Sequence, residues 1–184
     1  MRDNLEKVLI EALDDEYKAR ATYRAVISKF GEIRPFINIV QSEERHIQAL
    51  LSLFRKYEIP IPVDNWADVV KAPTSVLEAC QSGVRGEIEN REMYQRLLAI
   101  TPEYPDVQGV FLNLQRASEE NHLPAFQRCA ERLGSIMTTN RVNREQGAGE
   151  KEITSVILEQ EESNCGKRRE RRRNHRGCGG RKHY

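Results

Sequence analysis

Two Glu-x-x-His motifs stand at equivalent places in two similar stretches of the chain. Glu43 and His46 form the first motif, and Glu119 and His122 form the second, 76 residues later, within the matching stretches SEERHI and SEENHL. These two histidines are the only ones that precede the last ten residues. Carboxylate and imidazole groups bind divalent transition metals, and residues three apart on a helix share a face. Each motif therefore predicts a pair of ligands that face one metal site.

A second repeat supplies one more glutamate to each half of the chain. The stretch EYKARATY begins at Glu16, and EIENREMY begins 71 residues later at Glu87, so that Glu, Arg and Tyr recur at the same places. Each glutamate interrupts an otherwise apolar helix face, where a carboxylate without a partner costs several kcal/mol. The chain is thus predicted to be a duplicated helical hairpin, and each half contributes one lone glutamate and one Glu-x-x-His.

Apolar residues at helical spacing predict the elements that position these side chains. The expected helices run from Asp3 to Phe30, from just after Pro35 to about Phe54, from about Ser75 to Ile100, and from Pro105 to Gly134. Short breaks join the first two helices and the last two, whereas the proline-rich segment 58–74 with Trp66 is a long crossover. The predicted fold is therefore all-α, an antiparallel four-helix bundle in residues 1–135, followed by a tail in 136–184.

Four carboxylates with two imidazoles are the ligand set of the di-iron and di-manganese carboxylate bundles. Two divalent cations would also neutralise glutamates that could not otherwise be buried together. The predicted bridging ligands are Glu43 and Glu119, and the predicted terminal ligands are Glu16, Glu87, His46 and His122. Glu89 remains an alternative to Glu87, and a buried polar network without metal is the competing interpretation. The expected cofactor is a pair of iron ions, with manganese as the alternative.

With these residues the sequence resembles ferritin-like di-iron proteins, and it is similar in particular to a prokaryotic ferritin-like family of unassigned function that is related to rubrerythrins. The resemblance rests on EYKARA at 16–21, EERH at 43–46, the turn at 57–62 and NHLPAF at 121–126. It implies a ferritin-like bundle with a binuclear iron centre, a homodimeric assembly, and peroxide or dioxygen as the oxidant. Rubrerythrins also carry a rubredoxin-type iron site, but this chain has no Cys-x-x-Cys pair, so its electron donor would be external.

Charge divides the chain into two parts. Residues 167–184 hold nine Lys and Arg against one acid, a net charge of +8, and the other 166 residues carry −7. The arginine run is predicted to lack order on its own, with one short helix before it at 152–162. Such a run could attract nucleic acid through phosphate contacts, although a solvated tail is the simpler interpretation.

Composition and cysteine spacing limit the remaining choices. No apolar run reaches about 18 residues, so no membrane span is expected, and the N-terminus lacks the apolar stretch of a secretory signal, which favours the cytoplasm. Cys80 and Cys129 fall on apolar helix faces, where small buried thiols are expected. The function hypothesis is an oxidoreductase that reduces peroxide or dioxygen. The alternatives are a non-catalytic iron-binding or iron-handling protein and a nucleic-acid-associated protein that acts through its tail.

Overall fold

The computed structural model describes residues 2–145, with side chains from residue 4 to residue 139. The helices are α1 (Arg2–Phe30), α2 (Phe36–Lys56), α3 (Trp66–Val69), α4 (Val76–Ala99), α5 (Pro105–Ala117) and α6 (Leu123–Glu145), with a π-helical turn (Ser118–His122) between α5 and α6. Since no strand occurs in 2–145, the all-α prediction is confirmed for these residues. No helix within this range has the length and apolar character that crossing a membrane requires.

The first hairpin is closed where the sequence predicts. Gly31 follows α1 with φ at +86°, a left-handed conformation that favours glycine, and its N–H donates to the Ile27 carbonyl at 2.9 Å. This is a common way for a helix to end. Pro35 then precedes the first residue of α2, so the chain reverses within five residues and α1 packs along α2.

The second hairpin begins at a side-chain cap. Ser75 Oγ accepts the Glu78 N–H at 3.1 Å, while Glu78 Oε2 accepts the Thr74 N–H at 2.8 Å. Side chains thus satisfy N–H groups that the first turn of a helix leaves without partners. Helix α1 begins at Arg2, one residue before the predicted start at Asp3.

The long helices pack around a shared apolar core in the compact unit Met1–Ile136. Helix α1 contacts α2 and α4, α4 contacts α5 and the π turn, and α2 contacts α5. The crossover runs along α1, where Trp66 Nε1 donates to Asp14 at 2.7 Å and its ring packs against the core. Largest among the fully buried core side chains are Tyr94, Phe36, Phe54, Phe111, Phe126, Leu5, Leu9, Leu13, Ile47, Leu50 and Leu97.

The fourth predicted helix differs from the expectation in two respects. It is interrupted by the π turn at Ser118–His122, and it continues past Gly134 to Glu145. One glycine inside a helix costs only about 1 kcal/mol, so Gly134 does not end α6. The segments predicted at 152–162 and 167–184 lie outside the described residues.

Helices α4 and α6 approach each other closely at Gly83. A Cβ placed on Gly83 would lie 2.6–2.8 Å from ring atoms of Phe126, which is closer than packed side chains allow. One turn earlier on α4, Cys80 forms a disulfide with Cys129 of α6. The expectation of two free thiols is therefore wrong, although both cysteines are buried as predicted. By closing a loop with a sequence separation of 49, the disulfide stabilises the fold by about 4 kcal/mol in the chain-entropy treatment.

Substitution of Gly83 by alanine tests this close approach. We expect Gly83→Ala to destabilise the protein by about 1–3 kcal/mol, because the added methyl forces the Phe126 ring or helix α6 to move. Gly86→Ala is the matched control on the same helix, since a Cβ there meets no atom within 4 Å and alanine favours a helix by about 0.5–1 kcal/mol over glycine. Urea unfolding of both variants measures the difference, and equal stabilisation by the two would contradict the proposed contact.

Candidate metal centre

Five of the six predicted ligands lie together in the interior of the bundle. Glu16 comes from α1, Glu43 and His46 from α2, Glu87 from α4, and His122 from the last residue of the π turn. Their relative exposures are 2%, 3%, 8%, 4% and 4%, respectively. Three carboxyl groups and two imidazoles therefore share a region that is almost closed to water.

Glu43 lies between the two histidines. Its Oε2 is 2.9 Å from His46 Nδ1, and its Oε1 is 3.3 Å from His122 Nδ1. The two imidazole rings stack with their centroids 5.5 Å apart. Each of the three residues offers a ligand atom, and these atoms lie within 4.8 Å of one another, so this group can hold a metal ion.

The lone glutamates lie on either side of this triad. His46 Nδ1 is 3.2 Å from Glu16 Oε2, and His122 Nδ1 is 3.5 Å from Glu87 Oε2. Each Glu-x-x-His histidine thus contacts the lone glutamate of its own hairpin, while Glu43 joins the two halves. The arrangement follows the duplication that the sequence indicates.

Two buried tyrosines hold the outer glutamates by contacts between the repeats. Tyr23 on α1 donates to Glu87 Oε1 at 2.8 Å, and Tyr94 on α4 donates to Glu16 Oε1 at 2.7 Å. Burial and the nearby carboxylates raise the pKa of both phenols well above their usual value, so both remain donors at neutral pH. Neither tyrosine is among the predicted site residues. A signal for them is present in the sequence, because each follows a lone glutamate by seven residues.

The sixth predicted ligand, Glu119, does not lie in this cluster. It is half-buried in the π turn, and among the described residues it does not line the cavity at the cluster. A π turn contains more residues than an α turn, so residues three apart no longer share a face as they do on α2. Ser118 lies inward instead, and its hydroxyl donates to Glu87 Oε2 at 2.5 Å. A sequence signal for this contact exists, because a serine precedes both Glu-x-x-His motifs.

Of the two candidates on α4, Glu87 lies in the cluster, whereas Glu89 is exposed. Asn90 lies one turn beyond Glu87, and its Nδ2 donates to Asp15 Oδ2 at 2.8 Å. Its Oδ1 is buried without a hydrogen-bond partner, which is uncommon in a folded protein. Burial raises the pKa of Asp15. Both side chains line the same cavity as the cluster.

The arginine one turn from Glu16 on α1 pairs with groups outside the cluster. Arg20 contacts Glu44 at 2.9 Å and also pairs with Asp64 of the crossover. Arg24 contacts the same Glu44 carboxylate at 3.2 Å. These ion pairs lie outside the cluster, because Glu44 is on the outer side of α2 from Glu43 and His46.

A cavity of about 280 Å³ connects the cluster to the surface between α1 and α4. Small residues on the two helices, including Ala19, Thr22 and Gly86, leave this space, and the exposed Lys18 and Arg85 also line it. An apolar cavity of about 150 Å³ is large enough to hold benzene. The cluster can therefore be reached by ions and by small molecules.

Protons compensate the buried charges of the cluster. Burial raises the pKa of Glu16 to about 8, and the neighbouring Glu43 carboxylate adds to this. Burial also acts to raise the pKa of Glu43, but hydrogen bonds from the two histidines outweigh it and lower that pKa to about 2. Burial disfavours the charged histidines, yet their carboxylate partners raise the pKa of His46 to about 9 and of His122 to about 10. At pH 7 both imidazoles are therefore charged, and Glu16 holds a proton.

Comparison with known proteins gives a family profile described as "Uncharacterized protein domain (DUF2202)", which matches residues 6–154. The chain is 29% identical over 153 residues to "Uncharacterized protein MJ0754" of Methanocaldococcus jannaschii, and this covers 75% of the chain and 81% of that protein. Among solved structures it is similar to the crystal structure of hypothetical protein MJ0754 from Methanococcus jannaschii, with a TM-score of 0.63 and 28% identity. That match covers 70% of this chain and 81% of the other.

The protonation of the cluster predicts how stability depends on pH. In the metal-free protein the pKa values of Glu16, His46 and His122 are all raised, so the folded state binds protons that the unfolded chain has released. Stability should therefore fall as the pH rises from about 7 to 10, by roughly 1.4 kcal/mol per pH unit for each proton by which the two states differ. Thermal unfolding in the presence of a chelator measures this slope. His122→Gln should make it shallower, and a wild-type stability that is flat or rises over this range would refute the assignment.

Proposed function

Because the chain belongs to the DUF2202 family and encloses buried glutamates and histidines around one point, we propose that it is a ferritin-like protein that binds two divalent ions, iron in the first instance, and reduces peroxide or dioxygen. The observation that carries the proposal is Glu43, a buried carboxylate in contact with two buried imidazoles. Neither packing nor an ordinary surface ion pair accounts for this arrangement.

The donor set fits metal ions. The triad of Glu43, His46 and His122 provides mixed oxygen and nitrogen ligands, which suit iron and manganese. Divalent ions could take the place of the protons that now compensate the carboxylates. The buried Asn90 Oδ1, which lacks a partner, is a further oxygen that could accept a hydrogen bond from a water in the cavity.

The other residues of the cluster have distinct roles in the proposal. Glu16 and Glu87 are outer ligands whose remaining oxygens are held by Tyr94 and Tyr23, and such outer contacts fix ligand orientation. Glu119 is retained as the sixth ligand. To reach the cluster, its side chain requires a local rearrangement of the π turn.

Ferrous ions at this site would supply electrons for the reduction of peroxide or dioxygen. The protein contributes the surrounding structure. Its cavity admits a small oxidant between α1 and α4. Lys18 and Arg85 line this cavity together with Asp15 and Glu89, so the entrance carries charges of both signs.

Metal content tests the ligand set. Wild-type protein should bind two ions per chain, and Glu43→Ala should lose both because Glu43 joins the two halves of the cluster. Glu119→Ala should keep one ion, since the triad at Glu43 does not depend on it. Glu44→Ala is the control on the same helix and should retain both ions, because its carboxylate pairs with Arg20 and Arg24 outside the cluster. Anaerobic titration with Fe²⁺ followed by metal analysis gives the counts, and full occupancy in Glu43→Ala would rule out this site.

Reactivity separates an enzyme from an iron-handling protein. The chain has no Cys-x-x-Cys pair and hence no rubredoxin-type site that would deliver electrons. This favours the iron-handling protein. Stopped-flow mixing of the ferrous protein with hydrogen peroxide or dioxygen, followed by an external reductant, should show rapid loss of Fe²⁺ and repeated turnover. Slow oxidation without turnover would favour iron handling. Glu44→Ala serves again as the unaltered control.

A further inference from the structure

The Cys80–Cys129 disulfide lies on the same helix faces as two of the proposed ligands. Cys80 precedes Glu87 by seven residues on α4, and Cys129 follows His122 by seven residues along α6. Seven residues are about two helical turns, or roughly 10 Å, so each cysteine lies on the same face as the ligand of its helix. Because both ligands lie between Cys80 and Cys129 in the sequence, the loop that the disulfide closes contains them.

Gly83 of α4 and Phe126 of α6 lie between the disulfide and the ligands. The Phe126 ring fills the space that a side chain on Gly83 would take, so the two helices are in direct contact here. Close-packed interiors transmit displacements rather than absorbing them. A change in the distance between α4 and α6 at the disulfide therefore also moves Glu87 relative to His122. Glu87 Oε2 and His122 Nδ1 are 3.5 Å apart.

Reduction removes the covalent link that holds this spacing. Two external thiols reduce the disulfide to two cysteine thiols and become a disulfide themselves, so two electrons and two protons pass to the protein. Without the bond, only the packing of the surrounding side chains sets the distance between α4 and α6 at this point.

We propose that the Cys80–Cys129 disulfide couples the redox state of the surrounding thiols to metal occupancy of the cluster. The oxidised pair holds α4 and α6 at the spacing that brings Glu87 and His122 to one metal centre, and reduction weakens metal binding. The inference rests on the proposed metal site. Both sulfurs are buried, so exchange with external thiols requires local opening, and the coupling is a property of the equilibrium rather than a fast switch.

Such coupling is reciprocal. If the disulfide raises metal affinity by some factor, bound metal must stabilise the disulfide against reduction by the same factor. This equality separates coupling from a merely structural disulfide. A disulfide that only stabilises the fold would leave metal affinity unchanged for as long as the reduced protein stays folded.

The test uses the full chain and Mn²⁺, an ion that prefers carboxylates and has little affinity for thiols. Anaerobic titration of oxidised and reduced wild-type protein should show affinity at least about five-fold weaker after reduction, within the usual range of coupling between sites. Alkylation of free thiols in a graded thiol–disulfide buffer, with and without saturating Mn²⁺, should give the same factor. This second measurement does not depend on any activity.

Two variants control the experiment. The double variant Cys80→Ala/Cys129→Ala should show one Mn²⁺ affinity whatever the redox buffer. Leu97→Ala removes a buried side chain on α4 ten residues beyond Glu87, and it should destabilise the fold without changing Mn²⁺ affinity. Equal affinities for the oxidised and reduced wild type, or an equal loss in Leu97→Ala, would overturn the coupling while leaving the metal site in place. No Mn²⁺ binding by the oxidised protein would instead remove the metal site itself.

Discussion

The structure depends on burying three carboxyl groups and two imidazoles in the middle of a helical bundle. Each group alone would cost several kcal/mol in a region of low dielectric constant, so every one of them has a partner. Glu43 accepts from both histidines, and two tyrosines donate to the outer glutamates. The pKa values of Glu16 and both histidines are raised and that of Glu43 is lowered. This distribution of protons reduces the net charge that is buried. A site held in this way is well suited to exchange protons for metal ions.

The duplicated hairpin explains how four helices deliver these groups to one place. Glu16 and Tyr23 of α1 lie opposite Tyr94 and Glu87 of α4, so each repeat supplies the carboxylate that the other repeat holds. On each of the two helices the tyrosine follows the glutamate by seven residues. Because α1 and α4 run antiparallel, both Tyr–Glu contacts form together. The geometry of these contacts therefore follows from repetition, whereas Glu43 breaks the symmetry by lying between the two histidines.

The second half of the bundle departs from the first through its backbone. On α2 a regular helix brings Glu43 and His46 to one face, but the π turn on the other side brings Ser118 and His122 inward and leaves Glu119 half-buried. Gly83 and Phe126 set the distance between α4 and α6 beside this turn, and the disulfide fixes it one turn away. The geometry of the cluster in this half therefore depends on the spacing between helices as well as on the residue types.

The sequence by itself determined the helices, the breaks between them, and five side chains of the cluster, because apolar spacing and a repeated motif both depend only on positions along one helix. The tertiary structure decided what depends on contacts between helices. It selected Glu87 over Glu89, joined Cys80 to Cys129, and added the tyrosines and Ser118 to the site. It also left Glu119 outside the cluster. A π turn changes the face of the helix on which each following residue lies. The Glu-x-x-His spacing assumes a regular α-helix and therefore does not predict this change.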